Sequence, residues 1–334
     1  MKDQKALPTI TCGVLCHNEV NSIAKCIDRI MDESNQLLLS KVWVVDNAST
    51  DGSTEVLKNL AQIYPKLEIH FSNVNQIGGA RQWIVDHCTT DLLLFTDGDC
   101  EVPNNWVSQL LKAYIKLRDQ DLTGGVCGPN RLPENSVWQK SINLFMDSSL
   151  GHGFSPQAYK PNRPVRTDHL PTTNALFSVS ALKETEGFKS DWMVGEDVQM
   201  GRQLRDRGYA LWLLPSPIVF NDCAEHFDGW ILRMRKFGSA RWLHSPWTSW
   251  PLFLGGLLLA SVLAYLLGPW AFLAGILLLL SFEVLIRTLK SWMERKTPAS
   301  PFSIKGAAYL YGLFTLRSYF LGWIQQGFYF LRRP

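Results

Sequence analysis

Asp97 and Asp99 stand one residue apart in FTDGDCEVP, directly behind the apolar run Leu92 to Phe95. An Asp-Gly turn needs only one of these acids, and two carboxylates closing one buried strand repel each other. A cation is the missing partner. Asp46 follows a second apolar run in KVWVVDNASTDGS, and Glu196-Asp197 open GEDVQMGRQLRDRGY. Ser49, Thr50 and Asp51 are explained as helix-capping residues. Acids at several strand ends facing one crevice are not. Glu196 and Asp197 precede Val198, Met200 and Leu204, which alternate with Arg202, Arg205 and Arg207. The pair therefore suits the positive end of a helix and is also placed to take a proton.

Elements of a parallel sheet are needed to bring these acids together. Residues 9–15 (TITCGVL) and 41–45 (KVWVV) are short, β-branched runs of the kind buried on both faces of such a sheet. Val20, Ile23, Ala24, Ile27, Ile30 and Met31 recur between them at helical spacing, which completes a βαβ unit. A helix over 53–63, a strand over 67–71, a helix near 78–88 and a strand over 91–96 continue the alternation. This is the pattern of an open α/β sheet, whose ligands sit beyond the carboxyl ends of the strands. Cys16-His17-Asn18-Glu19 ends the first strand there.

The chain has 334 residues, a net charge of +3 and no arginine-rich tract. Nucleic acid is excluded as the expected partner on that balance. MKDQKALPTIT lacks an apolar core of signal-peptide length. The seven cysteines are scattered and are expected to be buried thiols of a reducing compartment. Cys12 and Cys16, four residues apart on a strand, lie roughly 13 Å apart, too far for one metal ion.

LCHNE, VVDNASTDGS, NQIGGARQ, FTDGDCEVP and GEDVQMGRQLRDRGY, in this order over about residues 8–220, resemble the motifs of the inverting family 2 glycosyltransferases. The resemblance implies an α/β GT-A fold, an open mixed sheet flanked by helices, a nucleotide-sugar donor and a divalent metal, Mg2+ or Mn2+. It also implies residue roles. Asp99 would be the direct metal ligand, with Asp97 nearer the ribose or the metal's hydration shell. Asp46 would contact the nucleoside, Asn18 and Glu19 would flank that pocket, and Arg81 would help hold the donor's base and phosphates. Asp197 would be the base and Glu196 would position acceptor or base. His226 matches a third metal ligand of some relatives. GSARW (238–242) resembles the Q-x-x-R-W signature of processive membrane synthases, with Gly238 in place of Gln. Arg241 would then support the diphosphate and Trp242 the acceptor; a basic interfacial helix is the competing reading.

Residues 130–170 are rich in Pro, Asn, Gly and Ser and are expected to be a long loop serving as lid or acceptor surface. From Leu252 to Phe282 no charge occurs, which predicts a hairpin of two spans, about 248–267 and 270–287, broken at Gly268-Pro269. Arg233, Arg235, Lys236 and Arg241 precede it, and Arg287, Lys290, Arg295 and Lys296 follow. Both ends are thus expected in the cytoplasm. Residues 302–330, aromatic and carrying Lys305 and Arg317, are expected to lie at the interface. The predicted layout is a GT-A domain over 1–225 (nucleotide-sugar half 1–125, acceptor half 126–225), a basic aromatic segment over 226–247 and a membrane anchor over 248–334. The expectation is a multi-pass membrane hexosyltransferase with a cytoplasmic catalytic domain. It would move a sugar to a lipid-linked or glycan acceptor in cell-envelope synthesis, with UDP-sugars ahead of GDP-mannose as donors. Alternatives are a processive polysaccharide synthase and a nucleotidyltransferase-like or non-catalytic nucleotide-binding protein.

Overall fold

The structure is a computed structural model; it describes residues 7–73, 76–148, 160–190, 194–224, 226–244, 249–256, 258, 261–262, 265 and 301–331. The chain forms two compact units, one of residues 1–133 with 152–223, the other of residues 134–151 with 224–334.

The first unit is built on an eight-stranded sheet in the order β3-β2-β1-β4-β9-β6-β10-β8. Its strands are β1 (Ile10–Cys16), β2 (Lys41–Asn47), β3 (Leu67–Ser72), β4 (Leu92–Asp97), β6 (Thr123–Cys127), β8 (Val165–Arg166), β9 (Ala175–Ser178) and β10 (Ala210–Leu213). The first four are parallel, and β9 runs antiparallel between β4 and β6. A three-stranded sheet, β5-β11-β7, joins β5 (Cys100–Glu101), β7 (Asn130–Arg131) and β11 (Val219–Asn221). The sequence reading of β1 to β4 matches these strands within a residue or two at each end.

Alternation along the strands divides the apolar side chains between two layers. Cys12, Val14, Val42, Val44 and Leu94 face helices α1 (Ile23–Ile30), α3 (Ser53–Ile63) and α5 (Trp106–Arg118), with the short α2 (Glu33–Gln36) against α5. Leu15, Trp43, Val45, Leu93 and Phe95 face α4 (Ile77–His87) and pack with side chains of two further helices.

From β1 the chain builds outward through β2 and β3, then returns to lay β4 on the other side of β1. The reversal leaves a crevice at the carboxyl ends of β1 and β4, where an open α/β sheet binds ligands. Register sets the acids there: Cys16 is paired with Asp46 and Leu15 with Asp97.

Among its described residues the second unit is mainly helical. It contains α6 (Val137–Met146), which corrects the expectation of a structureless loop over 130–170; α7 (Val179–Lys183) and α8 (Glu196–Asp206) belong to the first unit. The Ser136 hydroxyl accepts from Gln139 N while the Gln139 side chain accepts from the Ser136 backbone, a reciprocal cap that satisfies two amides of the first turn. Two long helices follow, α9 (Phe227–His244) and α10 (Pro301–Leu331). α10 packs along both α9 and α6. Their crossing is close because glycines face backbone: a Cβ on Gly238 would meet the Tyr319 carbonyl, and one on Gly322 the Arg235 carbonyl.

Among the described residues no helix is long and apolar enough to cross a membrane. The span expected over 270–287 lies outside the described residues. Of the one expected over 248–267, residues 249–256, 258, 261–262 and 265 are described, and they are helical.

Candidate active site

The loops after β1 and β2 are tied together by side-chain caps. Asn18 N donates to Ser49 Oγ (3.0 Å) and Asn18 Oδ1 accepts from Thr50 N (2.8 Å). Glu19 N donates to Ser53 Oγ (2.8 Å), Val20 N to Asp51 Oδ2 (3.0 Å), and His17 Nδ1 to the Asn47 carbonyl (2.7 Å). Asn18 holds a left-handed backbone, φ 57°, which Asn tolerates better than most residues. Asp46 is 2% exposed. One of its oxygens accepts from Ser49 N (3.1 Å) and the other from Thr54 Oγ1 (2.5 Å), so this acid secures the loop whatever else it binds.

Around these loops the carboxylates act on one another. Burial first, then the charges of Asp46 and Glu19, push the Cys16 thiol up to about 12. Burial and the Asp99 charge, with smaller contributions from Asp97 and Asp51, push Glu19 up to about 8 despite the hydroxyl of Ser22 (2.9 Å). Glu19, Asp97 and Asp99 therefore share one field. Asp99 is held from the small sheet: its Oδ1 accepts from Asn221 Nδ2 (2.8 Å) and its carbonyl from Asp222 N (3.0 Å). The sequence gives little sign of Asn221 beyond a polar residue behind the apolar pair Val219-Phe220.

Arg81 connects this cluster to the second acidic motif. It is 4% exposed on the buried face of α4. One terminal nitrogen donates to Asp97 Oδ1 (3.1 Å) and the other to Glu196 Oε1. Glu196 opens α8 behind Gly195 in a left-handed conformation (φ 83°), and is itself 5% exposed. Asp197, the next residue, is partly exposed, and its Oδ1 accepts from Val198 N (2.8 Å). The structure thus joins Asp97 to the Glu196-Asp197 pair, and gives Arg81 protein carboxylates where the resemblance implied donor contacts.

His169 lies beside this helix, although its place in a polar stretch gave no sign of it. A Cβ on Gly201 of α8 would meet the His169 backbone and side chain at 2.6 Å. Burial lowers the His169 imidazole, opposed by the Asp197 and Asp168 charges. His226 is exposed and belongs to the second unit.

The other two expected substrate contacts belong to the second unit. Trp242 is 3% exposed; its indole lies against Trp323 at 5.8 Å and donates to the Trp323 carbonyl (2.7 Å). Trp250, Phe253 and Phe330 surround it. Its surroundings are those of a core residue, and Gly238 stands where α9 and α10 cross. Arg241 is exposed.

The donors near Asp99 suit a hard divalent ion. Asp99 and Asp97 lie close enough to Glu19 to raise its carboxyl further than burial does by itself, and Mg2+ commonly takes one or two carboxylates, completing its shell with phosphate and water. Among the described residues no three His, Cys, Asp or Glu are grouped to hold a metal ion.

Residues 11–185 match the model of the glycosyl transferase family 2. The chain belongs to this family. The match includes the loops after β1, β2 and β4 and ends before α8, so the parts played by Glu196 and Asp197 rest on the geometry above. The glycosyltransferase AglE of Haloferax volcanii is 24% identical over 209 residues, 61% of this chain and 64% of its own length. The chain thus matches somewhat under two thirds of that relative. Two solved structures share the fold. The mannosyltransferase PcManGT of Pyrobaculum calidifontis, in complex with GDP-Man and Mn2+, has a TM-score of 0.56 at 18% identity, covering 93% of this chain and 88% of its own. GalNAc-T7 with UDP, GalNAc and Mn2+ has a TM-score of 0.50 at 13% identity, covering 65% and 44%.

Proposed function

We propose that the chain is a membrane-associated inverting glycosyltransferase that moves a sugar from a nucleotide-sugar donor to an acceptor hydroxyl, lipid-linked or on a glycan, in cell-envelope synthesis. One observation carries this reading: Arg81 brings the Asp97 strand end and the first turn of α8 together, so acids suited to a donor and an acid suited to a hydroxyl border one locus.

Asp46, Asn18 and Glu19 would border the nucleoside, and Asp97 and Asp99 would hold Mg2+ or Mn2+. When bound, that ion would offset the negative charge gathering on the departing diphosphate. Asp197 takes the acceptor's proton while the acceptor oxygen bonds to the anomeric carbon and the bond from that carbon to the diphosphate breaks. Attack opposite the leaving group inverts the carbon.

Membrane association is supported by the uncharged run 252–282 and by what the described side chains leave outside. Leu258 is 67% and Tyr265 88% exposed, and Leu313, Phe320, Ile324 and Phe328 form an exposed stripe along α10. Large apolar surface of this kind marks a contact with protein or membrane, and the basic residues flanking the run favour a cytoplasmic catalytic domain.

A thermal-shift screen of UDP-, GDP- and dTDP-sugars with Mn2+, followed by transfer assays on lipid and soluble acceptors, tests the reading. UDP-sugars and GDP-mannose lead it, since the two structural neighbours hold UDP and GDP-Man. The expected result is a Mn2+-dependent shift with one nucleotide and product on the lipid. No shift with any donor would overturn the enzyme, and product on soluble sugars alone would overturn the lipid acceptor.

A further inference from the structure

We infer that Arg81 is a positioning residue that fixes helix α8, and with it Asp197, at a set distance from the Asp97 strand end, and that it does not hold the donor's phosphates. The inference rests on the reading of the site proposed above and deepens it.

Arg81 sits in α4, and its partners lie 16 and 115 residues away in the chain. The side chains of Arg81 and Glu196 are 5% and 6% exposed, whereas that of Asp97 is 24% exposed. The guanidinium is therefore covered at its α8 end and reaches the open crevice only through Asp97. Its Nε is buried with no partner among the described residues, so its grip depends on the two terminal nitrogens. A phosphate on the α8 side would have to displace the buried Glu196 carboxylate, and one on the crevice side would compete with Asp97.

Glu196 is thereby an anchor, with its carboxylate turned into the protein. Successive residues of a helix point about 100° apart, from 3.6 residues per turn. With Glu196 held on Arg81, Asp197 is turned out of the protein beside it, partly exposed. The planar fork of the guanidinium can hold two carboxylates at a fixed separation; an ammonium cannot. The side that would hold the donor and the side that would take the acceptor's proton are then set at one distance by a single side chain. Misplacing a catalytic group by an ångström costs on the order of 10²-fold in rate.

The test separates turnover, binding and stability in Arg81→Gln, Arg81→Lys, Glu196→Gln and the double variant Arg81→Gln/Glu196→Gln. Arg81→Gln is expected to lower kcat about 10²-fold while the Kd for the Mn2+ complex of the nucleoside diphosphate, measured by calorimetry, moves less than about 3-fold. Arg81→Lys should recover part of kcat. The double variant should be no slower than Arg81→Gln, because residues acting as one unit are not additive. A Kd weakened tenfold or more with kcat kept would make Arg81 a donor contact and overturn the inference. Unchanged kcat per folded molecule, or additive losses, would reduce the pair to a structural tie and overturn it as well. If Arg81→Gln does not fold, Glu196→Gln, which keeps the bond to Asp97, gives the same reading. Should wild type turn over no donor, the enzyme proposal fails by itself; coupling between the two sites in urea unfolding then decides the clamp, and additive unfolding energies overturn it.

Discussion

In the sheet-bearing unit the groups that are costly to bury are charged: Arg81, Glu196 and Asp46 are each 5% exposed or less; Arg81 and Glu196 are bonded to each other across the chain, and Asp46 to the Ser49 amide and the Thr54 hydroxyl of the loop that follows it. In the helical unit Trp242 fills the interior, with Ser239 Oγ on the Gly322 carbonyl where the helices cross, while Leu252, Leu258, Phe320 and Phe328 lie outside. Buried charge is tolerated only when paired and hydrogen-bonded, so its concentration in one unit marks a place held for chemistry. Apolar side chains turned outward, over an interior of small residues and indoles, mark a unit shaped for an apolar contact; close small-residue crossings of this sort are common between helices in membranes. A buried aromatic or basic residue near a motif is therefore no guide to substrate contact until its unit is known.

Replacing Asp197 by Asn should break the first half of the comparison most severely. Transfer is expected to fall about 10³-fold, within the range for loss of a general base, while Mn2+-dependent nucleotide binding by calorimetry stays within about 3-fold. Normal turnover would remove Asp197 from the role of base. Trp242→Ala probes the second half. Its truncation should cost about 3–5 kcal/mol in urea unfolding and leave the donor Kd unchanged; a raised acceptor KM without lost stability would restore the substrate contact implied by GSARW.

Glu19 sharpens the account of the acid cluster. Its carboxyl, ordinarily near 4.5, is lifted to about 8 in the fold, so the folded chain holds a proton that the unfolded chain releases. Metal-free stability should therefore be greatest below about pH 4.5 as far as this group is concerned, and fall as pH rises toward 8, by on the order of 2 kcal/mol once discounted for solvent. Denaturant midpoints across that range should show the slope in wild type and lose it in Glu19→Gln; equal slopes in both would assign it to another group. The smallest effect is expected at the surface. Phe320→Glu with Phe328→Glu should reduce sedimentation with anionic phospholipid vesicles about tenfold, since a charge in an apolar setting costs more than a kcal/mol. Undiminished binding would show that the α10 stripe faces something else.

The legible parts were those with local causes. β1 to β4, α3 and α4 each carry a continuous apolar run or a 3.6-residue stripe, and their ends agree with the sequence reading to within a residue or two. β6 (TGGVC) and β9 (ALFS) are short and wholly buried, and β6 is partly glycine, so no alternation distinguishes them. α6 lies inside a loop-like composition that hides its helical stripe, although Ser136 and Gln139 have the spacing of a reciprocal cap. Asp46, Asp97 and Asp99 can be singled out because acids after apolar runs are unusual, and Asp197 because the Glu196-Asp197 pair opens a helix in a motif resembling the family's. Their connections cannot. The Arg81–Glu196 pair spans 115 residues and the Asn221–Asp99 bond 122, and nothing local encodes either. Trp242 shows the converse: GSARW suggested a substrate contact, and Gly238 with Trp242 serves a helix crossing.

The central claim is that Asp97 and Asp99 face the diphosphate of a donor whose nucleoside lies at Asp46. Crystals grown with Mn2+ and a nucleoside diphosphate, recorded for anomalous scattering, test it most directly. The account predicts a manganese peak between the Asp99 carboxylate and the diphosphate, with the base beside Asp46 and Asn18 and the Arg81–Glu196 pair intact. A peak away from Asp99, or a base lying outside the loops after β1 and β2, would contradict it.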